Sequence, residues 1–251
     1  PRAFTTLGLH AKPNTENPIG HFGTGLKYAI ATILRVGGKI AILNDEYRFD
    51  FKVRVSNFRN TKVQKILCIR QEHGSDKRAY TFNLPYTTEL GKHWEPWMAY
   101  RELMSNARDE DGDEPFRGDS SRFNAITHEK WYENGTTILV CHPDFEHIMD
   151  NPEEVMLHEN LEECAPHKFG KFEYYPYAPS KYVYLRGLRV HTLESPSAGT
   201  INIVGHEFLT EDRTLKYAAS FEYDLVREIA ASATVDQLYD IWRLDEEYYE
   251  S

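Results

Sequence analysis

The stretch from Arg101 to Asp109 places the strongest constraint on how this chain can fold, because its two sides need different surroundings. It contains neither Gly nor Pro and consists mostly of good helix formers, which predicts a helix. At about 100° per residue, Glu102, Asn106 and Asp109 share one face of that helix. Four other residues fall roughly on the opposite side: Trp97, Tyr100, Met104 and Ala107. One side is therefore expected to pack, while the other presents two carboxylates and an amide, which in most proteins is simply a solvated surface.

Glycines between residues 20 and 25 precede a second predicted helix. Apolar residues at helical spacing predict that it begins near Thr24 or Gly25 and ends at Gly37 and Gly38. Glycines just before a helix let the backbone approach an anion, and the free N–H groups of the first turn can bind phosphate. An ordinary turn followed by a helix cap needs the same residues, so both interpretations stay open on this evidence.

Taken together, the two stretches resemble motifs of the GHKL (Bergerat-fold) ATPase superfamily, in the version found in the Hsp90 chaperones. The string Arg-Glu-Leu-x-x-Asn-Ala-x-Asp at 101–109 resembles the N-box helix. The string Ile-Gly-x-Phe-Gly-x-Gly at 19–25 resembles the second glycine box, which forms part of the ATP lid. A Leu-Gly-x-x-Ala-Lys segment at 7–12 and a Gly-Thr pair at 135–136 resemble two further segments of the family.

The resemblance implies roles for individual residues. Glu102 would polarise the attacking water, and Asn106 would help to hold Mg²⁺ against the phosphates of ATP. Hydrolysis of a phosphoanhydride independently requires a base within reach of water and a hard oxygen ligand for Mg²⁺. The implied ATP- and phosphate-binding set is Lys12, Gly20, Phe22, Gly23, Thr24, Gly25, Leu26, Asn106, Asp109 and Thr136. A solvated loop lysine at Lys12 and an ordinary buried strand threonine at Thr136 remain equally open.

The sequence departs from the family in two ways. The second glycine box precedes the N-box here, whereas the family usually has the reverse order, which implies a permuted Bergerat fold with the N-box moved downstream. The Asp-x-Gly-x-Gly box, whose Asp binds the adenine amino group in the family, is absent from the sequence. Asp109 and Asp144 are the substitutes that the sequence offers.

The remaining pattern predicts the α+β class, as a two-layer α/β sandwich with a mostly antiparallel sheet and helices on one face. Residues 39–43 read as a short strand, and residues 47–55 alternate as in a half-buried strand. Residues 62–70 and 77–84 read as a hairpin. We expect residues 1–150 to form the permuted Bergerat-type nucleotide-binding region.

Residues 151–251 carry no family motif and are expected to form a C-terminal α/β extension that packs on the first region or binds a partner. A helix is expected to begin at Asn151-Pro152. Strands are expected at residues 181–190, with a break at Gly187, and at 200–204. Helices are expected at residues 215–233 and 235–248, and the aromatic tract 172–177 reads as a loop or connector. Arg213, in a charged turn, could reach a phosphate in trans, although a capping or surface role is the commoner one.

Composition narrows the functional classes. The 251 residues include 29 basic and 39 acidic side chains, and the net charge of −10 argues against generic binding to nucleic acid, although it is compatible with a local basic patch. No apolar run approaches the length of a membrane span, so no membrane association is expected. The three cysteines form no CxxC pair, which is typical of reduced thiols and a cytoplasmic protein.

Two metal-site interpretations find little support. The acidic cluster 109–114 fails the EF-hand pattern, because its glycine stands at the fourth position rather than the sixth, so a solvated acidic loop is expected. His142 and His147, which lie on either side of Asp144, lack zinc-finger or HExxH spacing. A second set also lacks such spacing: His158, Cys164 and His167.

These observations favour an ATP-binding protein, expected to be a slow Mg²⁺-dependent ATPase that acts as a nucleotide-driven conformational switch, with a protein partner or a homodimer as its output. The alternative is a nucleotide- or protein-binding module without catalysis, which the missing Asp-x-Gly-x-Gly box favours. A phosphotransferase of the histidine-kinase type is not supported, because the sequence shows no upstream dimerisation helix that carries a phosphoacceptor His. A plain structural protein is the remaining alternative.

Overall fold

The computed structural model describes residues 24–44, 46–75, 78–124, 135–157, 161, 165–205, 209–210 and 213–242. The chain divides into two compact units, Pro1–Asp150 and Asn151–Ser251, each with its own sheet. The α+β class with mostly antiparallel sheets is confirmed.

The N-terminal unit contains one fully antiparallel sheet with the strand order β4-β3-β2-β1-β5. Its elements are α1 (Gly25–Arg35), β1 (Lys39–Leu43), β2 (Tyr47–Phe58), β3 (Thr61–Glu72), β4 (Tyr80–Thr87), α2 (Pro96–Asp109), β5 (Thr137–Cys141) and α3 (Pro143–Asp150). Helix α1 packs against α2 and also contacts β1 and β2, while α2 contacts α3. Both predicted helices of this unit are confirmed, and a proline at the first turn of α2 is in the position where its missing N–H is harmless.

Strand β1 is buried along most of its length, which explains why its sequence is apolar rather than alternating. Ala41 and Leu43 pack with Phe123, which follows a 3₁₀ turn at Ser120–Arg122. Ile40 and Ile42 are buried on the opposite face of the strand. The core of this unit therefore lies on both sides of β1.

The longest strands, β2 and β3, differ from the prediction. Phe49 and Phe51 are buried, as the alternating pattern predicts, but Val53 and Val55 are 37% and 58% exposed. The prediction of a half-buried strand up to Val55 is therefore wrong beyond Phe51. The physical reason is that the β2–β3 hairpin runs past the end of its neighbouring strands, so no core is available to that part.

The C-terminal unit contains a second sheet with the order β6-β7-β10-β8-β9, in which β10 and β8 are parallel and the other pairs are antiparallel. Its elements are β6 (His167–Phe169), β7 (Phe172–Tyr175), β8 (Ser180–Leu185), β9 (Leu188–Ser197), β10 (Thr200–Ile203), α4 (Ala218–Ser232) and α5 (Val235–Trp242). Phe221 and Leu225 of α4 join the buried core of the sheet.

Several predictions for this unit need correction. The tract 172–177 is not a connector, because Phe172–Tyr175 forms strand β7 between β6 and β10 with three of its four residues buried. Residues 181–190 form the two strands of a hairpin, which turns at Arg186 and Gly187 with φ of 51° and 78°. The expected helix start at Pro152 is a single 3₁₀ turn, Pro152–Glu154.

Helix α4 is shorter than predicted. Helix α4 begins at Ala218, three residues after the predicted start. The described part of the last helix is Val235–Trp242, and the remainder of the predicted range lies outside the described residues.

Arg213 is buried, so the expected surface role is wrong. Among the described helices, none combines the length and apolar character needed to cross a membrane.

Candidate site at the interface of α1 and α2

The N-terminus of α1 is the first part of the candidate site. Thr24 is the N-cap, and its carbonyl oxygen accepts bonds from the N–H groups of Lys27 at 2.9 Å and Tyr28 at 3.1 Å. Its side chain does not cap the helix, and its buried hydroxyl has no hydrogen-bond partner among the described residues. The first turn also contains no acidic residue. The positive end of the helix dipole thus receives no compensating charge from α1 itself.

Helix α2 places an acidic side chain, that of Glu102, at this end of α1. A Cβ atom built on Gly25 would lie 1.9 Å from Oε1 of Glu102 and 2.5 Å from Oε2, so the carboxylate occupies the space where any other side chain would begin. Glu102 is 2% exposed and has little room to withdraw. The glycine at position 25 is therefore required by this close approach, and its location one residue after the N-cap puts the carboxylate at the positive end of α1.

Asn106 is one turn further along α2 and contacts the same carboxylate. Its Nδ2 donates a hydrogen bond of 3.1 Å to Oε1 of Glu102. Because the nitrogen side of the amide is directed to the carboxylate, the oxygen Oδ1 is turned away from it. Glu102 and Asn106 thus form a fixed pair in which a carboxylate and an amide oxygen are offered side by side.

The burial of Glu102 corrects one expectation and refines another. The interpretation of this face as a solvated surface is wrong for Glu102, and the packed side of α2 includes Arg101, Glu102 and Ser105 as well as Tyr100 and Met104. Asn106 and Asp109 are half-buried. The polar face of α2 therefore lies partly inside the molecule, where electrostatic interactions are stronger than in water.

Lys27 is a further buried charge that the sequence reasoning did not single out. It is 3% exposed, and burial lowers the pKa of its ammonium group from the ordinary value. The sequence pattern does indicate that Lys27 is buried, because helical spacing places it on the same face as Ile30, Ala31 and Leu34. A lysine on the buried face of a helix is uncommon and marks the position for attention.

Arg35 fixes the position of α2 relative to α1. Its guanidinium donates hydrogen bonds to backbone carbonyls of the segment that leads into α2 and to the Thr32 hydroxyl. The distances are 2.7 Å to Thr88 O, 3.3 Å to Leu90 O, 3.1 Å to Gly91 O, 2.7 Å to Trp94 O and 3.1 Å to Thr32 Oγ1. No local pattern predicts this role, since the carbonyl acceptors are more than 50 residues away along the chain.

An aromatic contact reinforces the same connection. The rings of Tyr28 on α1 and Trp94 meet edge to face with centroids 5.0 Å apart. Gly91 has φ of 60°, and a Cβ atom there would lie 3.3 Å from Tyr28, so glycine suits both the backbone and the packing. Arg35 and this contact together orient α2 so that Glu102 reaches the start of α1.

The other predicted site residues are distributed as follows. Gly25, Glu102 and Asn106 are brought together, with Thr24 and the half-buried Leu26 at the same end of α1. Asp109 is the last residue of α2, two turns beyond Glu102 and about 10 Å along the axis. Lys12, Gly20, Phe22 and Gly23 lie outside the described residues.

Thr136 is exposed and precedes the first residue of β5, so the interpretation as a buried strand threonine is wrong. Strand β5 starts opposite Leu43, the last residue of β1.

Metal-ligating groups and thiols add little to this picture. Across the described ranges, no group of three or more His, Cys, Asp or Glu side chains is placed to hold a metal ion. The acidic loop from Glu110 to Glu114 is exposed, as expected. Asp144, one substitute for the adenine contact, lies in the first turn of α3 beside His142. Burial raises the pKa of the Cys68 thiol to about 12, which makes it a poor nucleophile.

Comparison of the chain with known protein families, with curated proteins and with solved structures finds no match. The assignment of a function therefore depends on the residues at the α1–α2 interface.

Proposed function

We propose that this protein binds ATP with Mg²⁺ at the N-terminus of α1, hydrolyses it slowly, and uses the nucleotide as a conformational switch. The observation that supports the proposal most is the buried carboxylate of Glu102 against Gly25. A buried carboxylate at the start of a helix, beside an amide that bonds to it, is an arrangement suited to phosphoryl chemistry. The resemblance to GHKL ATPases assigns the same two residues to that chemistry.

The phosphates would lie over the first turn of α1. A helix N-terminus offers N–H groups and a partial positive charge to an anion, and the buried Thr24 hydroxyl adds a donor there. At Gly25 the Cβ side of the backbone is covered by the Glu102 carboxylate, so the phosphates would approach the free N–H groups of the first turn from beyond that carboxylate. The contacts from Lys12, Gly20, Phe22 and Gly23 remain predictions from the resemblance.

Glu102 would act on water. Its carboxylate is held in place by Asn106 and by Gly25, so it can accept a hydrogen bond from a water molecule that is positioned for in-line attack. Because the group is fixed before the reaction, little reorganisation is needed when charge develops. The role fits a base and not a simple phosphate binder, because a carboxylate repels phosphate.

That repulsion explains why the nucleotide would need a divalent cation. Glu102 and the phosphates both favour the positive end of α1, and a hard cation between them would offset their repulsion. The outward-facing Oδ1 of Asn106 is the oxygen that this chain offers to Mg²⁺, with the phosphates and water completing the shell. Bound there, Mg²⁺ would supply charge neutralisation and orientation of the phosphates.

Calorimetric titration with a non-hydrolysable ATP analogue tests the binding step. We expect saturable binding by the wild type that requires Mg²⁺ and weakens at least tenfold in Asn106→Ala. Glu102→Gln removes the repulsion and should strengthen Mg²⁺-free binding by about tenfold. Absence of binding at millimolar analogue would refute the proposal.

Phosphate release tests the catalytic step. Glu102→Gln should lower turnover about 100-fold or more while leaving Mg²⁺-dependent binding within a few fold. Glu110→Gln, an exposed position just after α2, is the matched control and should change neither quantity. Turnover that survives in Glu102→Gln would mean that the base has been assigned to the wrong residue.

The second candidate function is nucleotide binding without hydrolysis, and the absence of an Asp-x-Gly-x-Gly box favours it. It predicts the same calorimetric result together with no turnover in the wild type. The catalytic version predicts a difference between wild type and Glu102→Gln, so the two experiments separate the candidates.

The output of the switch would be an interaction of the C-terminal unit. The part of the chain from Tyr217 onward exposes several large apolar side chains: Tyr217, Tyr223, Val226, Val235, Leu238 and Tyr239. Exposed apolar surface of this kind is typical of a protein–protein contact. Sedimentation with and without the ATP analogue would reveal nucleotide-dependent dimerisation, which is the output we expect when no other partner is present.

A further inference from the structure

The β2–β3 hairpin extends beyond the sheet that carries it. Strand β1 pairs with β2 at residues 48–50, and β4 pairs with β3 at residues 65–70. Beyond these limits, β2 and β3 pair with each other down to the contact of Phe58 with Thr61. Residues 52–65, which we call the basic arm, form a two-stranded ribbon. At its base Lys65 pairs with Thr87 of β4 and Gln64 accepts a bond from Thr88, and its other positions have no second strand neighbour within the described residues.

The charge of the basic arm is opposite to that of the chain. It carries five basic residues: Lys52, Arg54, Arg59, Lys62 and Lys65. No Asp or Glu occurs between residues 51 and 71, although the chain has 39 acidic residues in 251, so that 21 residues would contain about three on average. A strongly positive projection on a protein of net charge −10 is a local feature that the overall composition conceals.

The positive side chains of the arm are available to a partner. Lys52, Arg54, Lys62 and Lys65 are exposed, and none of them forms an ion pair within the part of the chain that the structure describes. The register places Arg54 directly opposite Lys65. Like charges at directly opposite positions destabilise a sheet, and a polyanion would relieve the repulsion.

The turn of the arm also carries a positive charge, on an arginine whose backbone conformation is uncommon for that residue. Arg59 and Asn60 form the two-residue turn and have φ of 46° and 64°. This conformation favours Asn or Gly, and an arginine there is uncommon. The chain thus places a guanidinium at the tip of the ribbon, where the backbone would prefer another residue.

We propose that the basic arm binds double-stranded DNA, with the ribbon lying in the major groove. Lys52, Arg54 and Lys65 share one face, whereas Lys62 is on the other and Arg59 is at the tip, so positive charge reaches both walls of a groove. The major groove of B-form DNA, about 12 Å wide, admits a two-stranded ribbon. The deep, narrow major groove of duplex RNA does not admit side chains in this way. The inference is independent of the proposed nucleotide site.

Protection of strand edges is the simpler explanation for charges on such a ribbon. Charged side chains at exposed edges prevent association through unpaired backbone groups. Lysine is the residue most often used for this purpose, yet it would not require an unbroken run of positive charge in a chain that has more acidic than basic residues. The exclusive use of positive charge in the arm is what edge protection leaves unexplained.

Fluorescence anisotropy with a labelled 25-base-pair DNA duplex tests the proposal on the full-length protein. The arm variant replaces Lys52, Arg54, Lys62 and Lys65 with Gln, and the matched control replaces four exposed basic residues outside the arm, Lys39, Arg78, Lys92 and Arg122. Both variants change the net charge from −10 by four units. All eight positions are exposed, so circular dichroism should show native folding in both.

We expect the wild type to bind the duplex at 50 mM salt with an affinity that falls steeply as salt rises. The arm variant should lose at least tenfold in affinity, and its salt dependence should flatten by roughly three to four units of slope, whereas the control should change less than threefold. Duplex RNA of the same sequence should bind at least tenfold more weakly.

Three outcomes would overturn the proposal. The first is the absence of duplex binding by the wild type at 50 mM salt. The second is an equal loss in the arm and control variants, which would indicate a general effect of net charge. The third is equal binding of DNA and RNA. If the arm variant instead changes the sedimentation of the protein without DNA, the arm binds a second copy of the chain and not DNA.

Discussion

Two buried polar side chains, Glu102 in the N-terminal unit and Asn202 in the C-terminal unit, show how differently the two units use polarity. The Oδ1 atom of Asn202 accepts a bond of 3.0 Å from the N–H of Gly187, and its Nδ2 donates one of 3.0 Å to Glu173. Asn202 is neutral, and both ends of its amide are satisfied by the β8–β9 turn and by strand β7. The acidic side chain of Glu102 is instead held against the bare backbone of Gly25.

Under the proposed function, this difference separates a structural polar group, Asn202, from a catalytic one, Glu102. A buried amide whose hydrogen bonds are complete stabilises one arrangement of its strands. A buried carboxylate is an expensive way to hold two helices together, because an apolar residue of similar size would pack as well without the desolvation penalty. The cost of burying this group supports the proposal that Glu102 has a role beyond folding.

The largest expected effect comes from Gly25→Ala. The new methyl group would overlap the buried Glu102 carboxylate, so the carboxylate must leave its position against α1. We expect a loss of stability near the upper end of about 1–3 kcal/mol, although Ala is the better helix former, together with at least a 100-fold loss of turnover. Chemical denaturation and phosphate release measure the two quantities.

Gly118→Ala is the matched control for that change, because a Cβ atom at Gly118 meets nothing within 4 Å. The double variant Gly25→Ala with Glu102→Ala removes the overlap and should recover most of the lost stability without recovering turnover. If the double variant is no more stable than Gly25→Ala alone, the close contact between the two residues is not the cause.

A smaller effect is expected from Asn202→Ala in the other unit. The substitution leaves the buried N–H of Gly187 without its acceptor, so stability should fall by about 2 kcal/mol. Nucleotide binding should not change, in contrast to variants of Glu102 and Asn106. Thr192→Ala, which removes an exposed hydrogen bond with Arg189, is the control and should change stability by less than about 0.5 kcal/mol. A loss of binding in Asn202→Ala would contradict the division of roles.

The same contrast explains what the sequence could predict. The helix from Gly25 and the helix to Asp109 were predictable because periodicity, glycines and a proline act locally. The burial of Glu102 against Gly25 was not predictable, because it depends on the hydrogen bonds that Arg35 donates to carbonyl groups at residues 88–94. The motif resemblance named the residues of the pair, but their contact is a tertiary fact.

The errors in the C-terminal unit have a related origin. The tract Phe172–Tyr175 reads as a connector because Pro176 follows it and its residues do not alternate, yet it is an inner strand. A strand buried on both sides has no alternation to detect. The extension of β2 past the core is the opposite case, since Val53 and Val55 keep the alternation of a half-buried strand where no core exists.

The smallest expected effect concerns His191, a half-buried side chain beside the core of the C-terminal unit. Burial lowers the pKa of His191, the charge of Glu222 opposes that shift, and Arg189 adds to it. Its ring lies 6.2 Å from that of Phe221, so protonation places a charge against the core.

Because the pKa of His191 is lower in the folded state, the unfolded chain takes up the proton first as pH falls through about 6.5. This contribution to stability is complete above that pH and is lost below it, so His191→Gln should flatten the stability profile between about pH 5 and 7 by less than about 1 kcal/mol. Urea denaturation at several pH values measures it, with the exposed His93→Gln as the control, and an unchanged profile in His191→Gln would assign the acid sensitivity of this unit to another group.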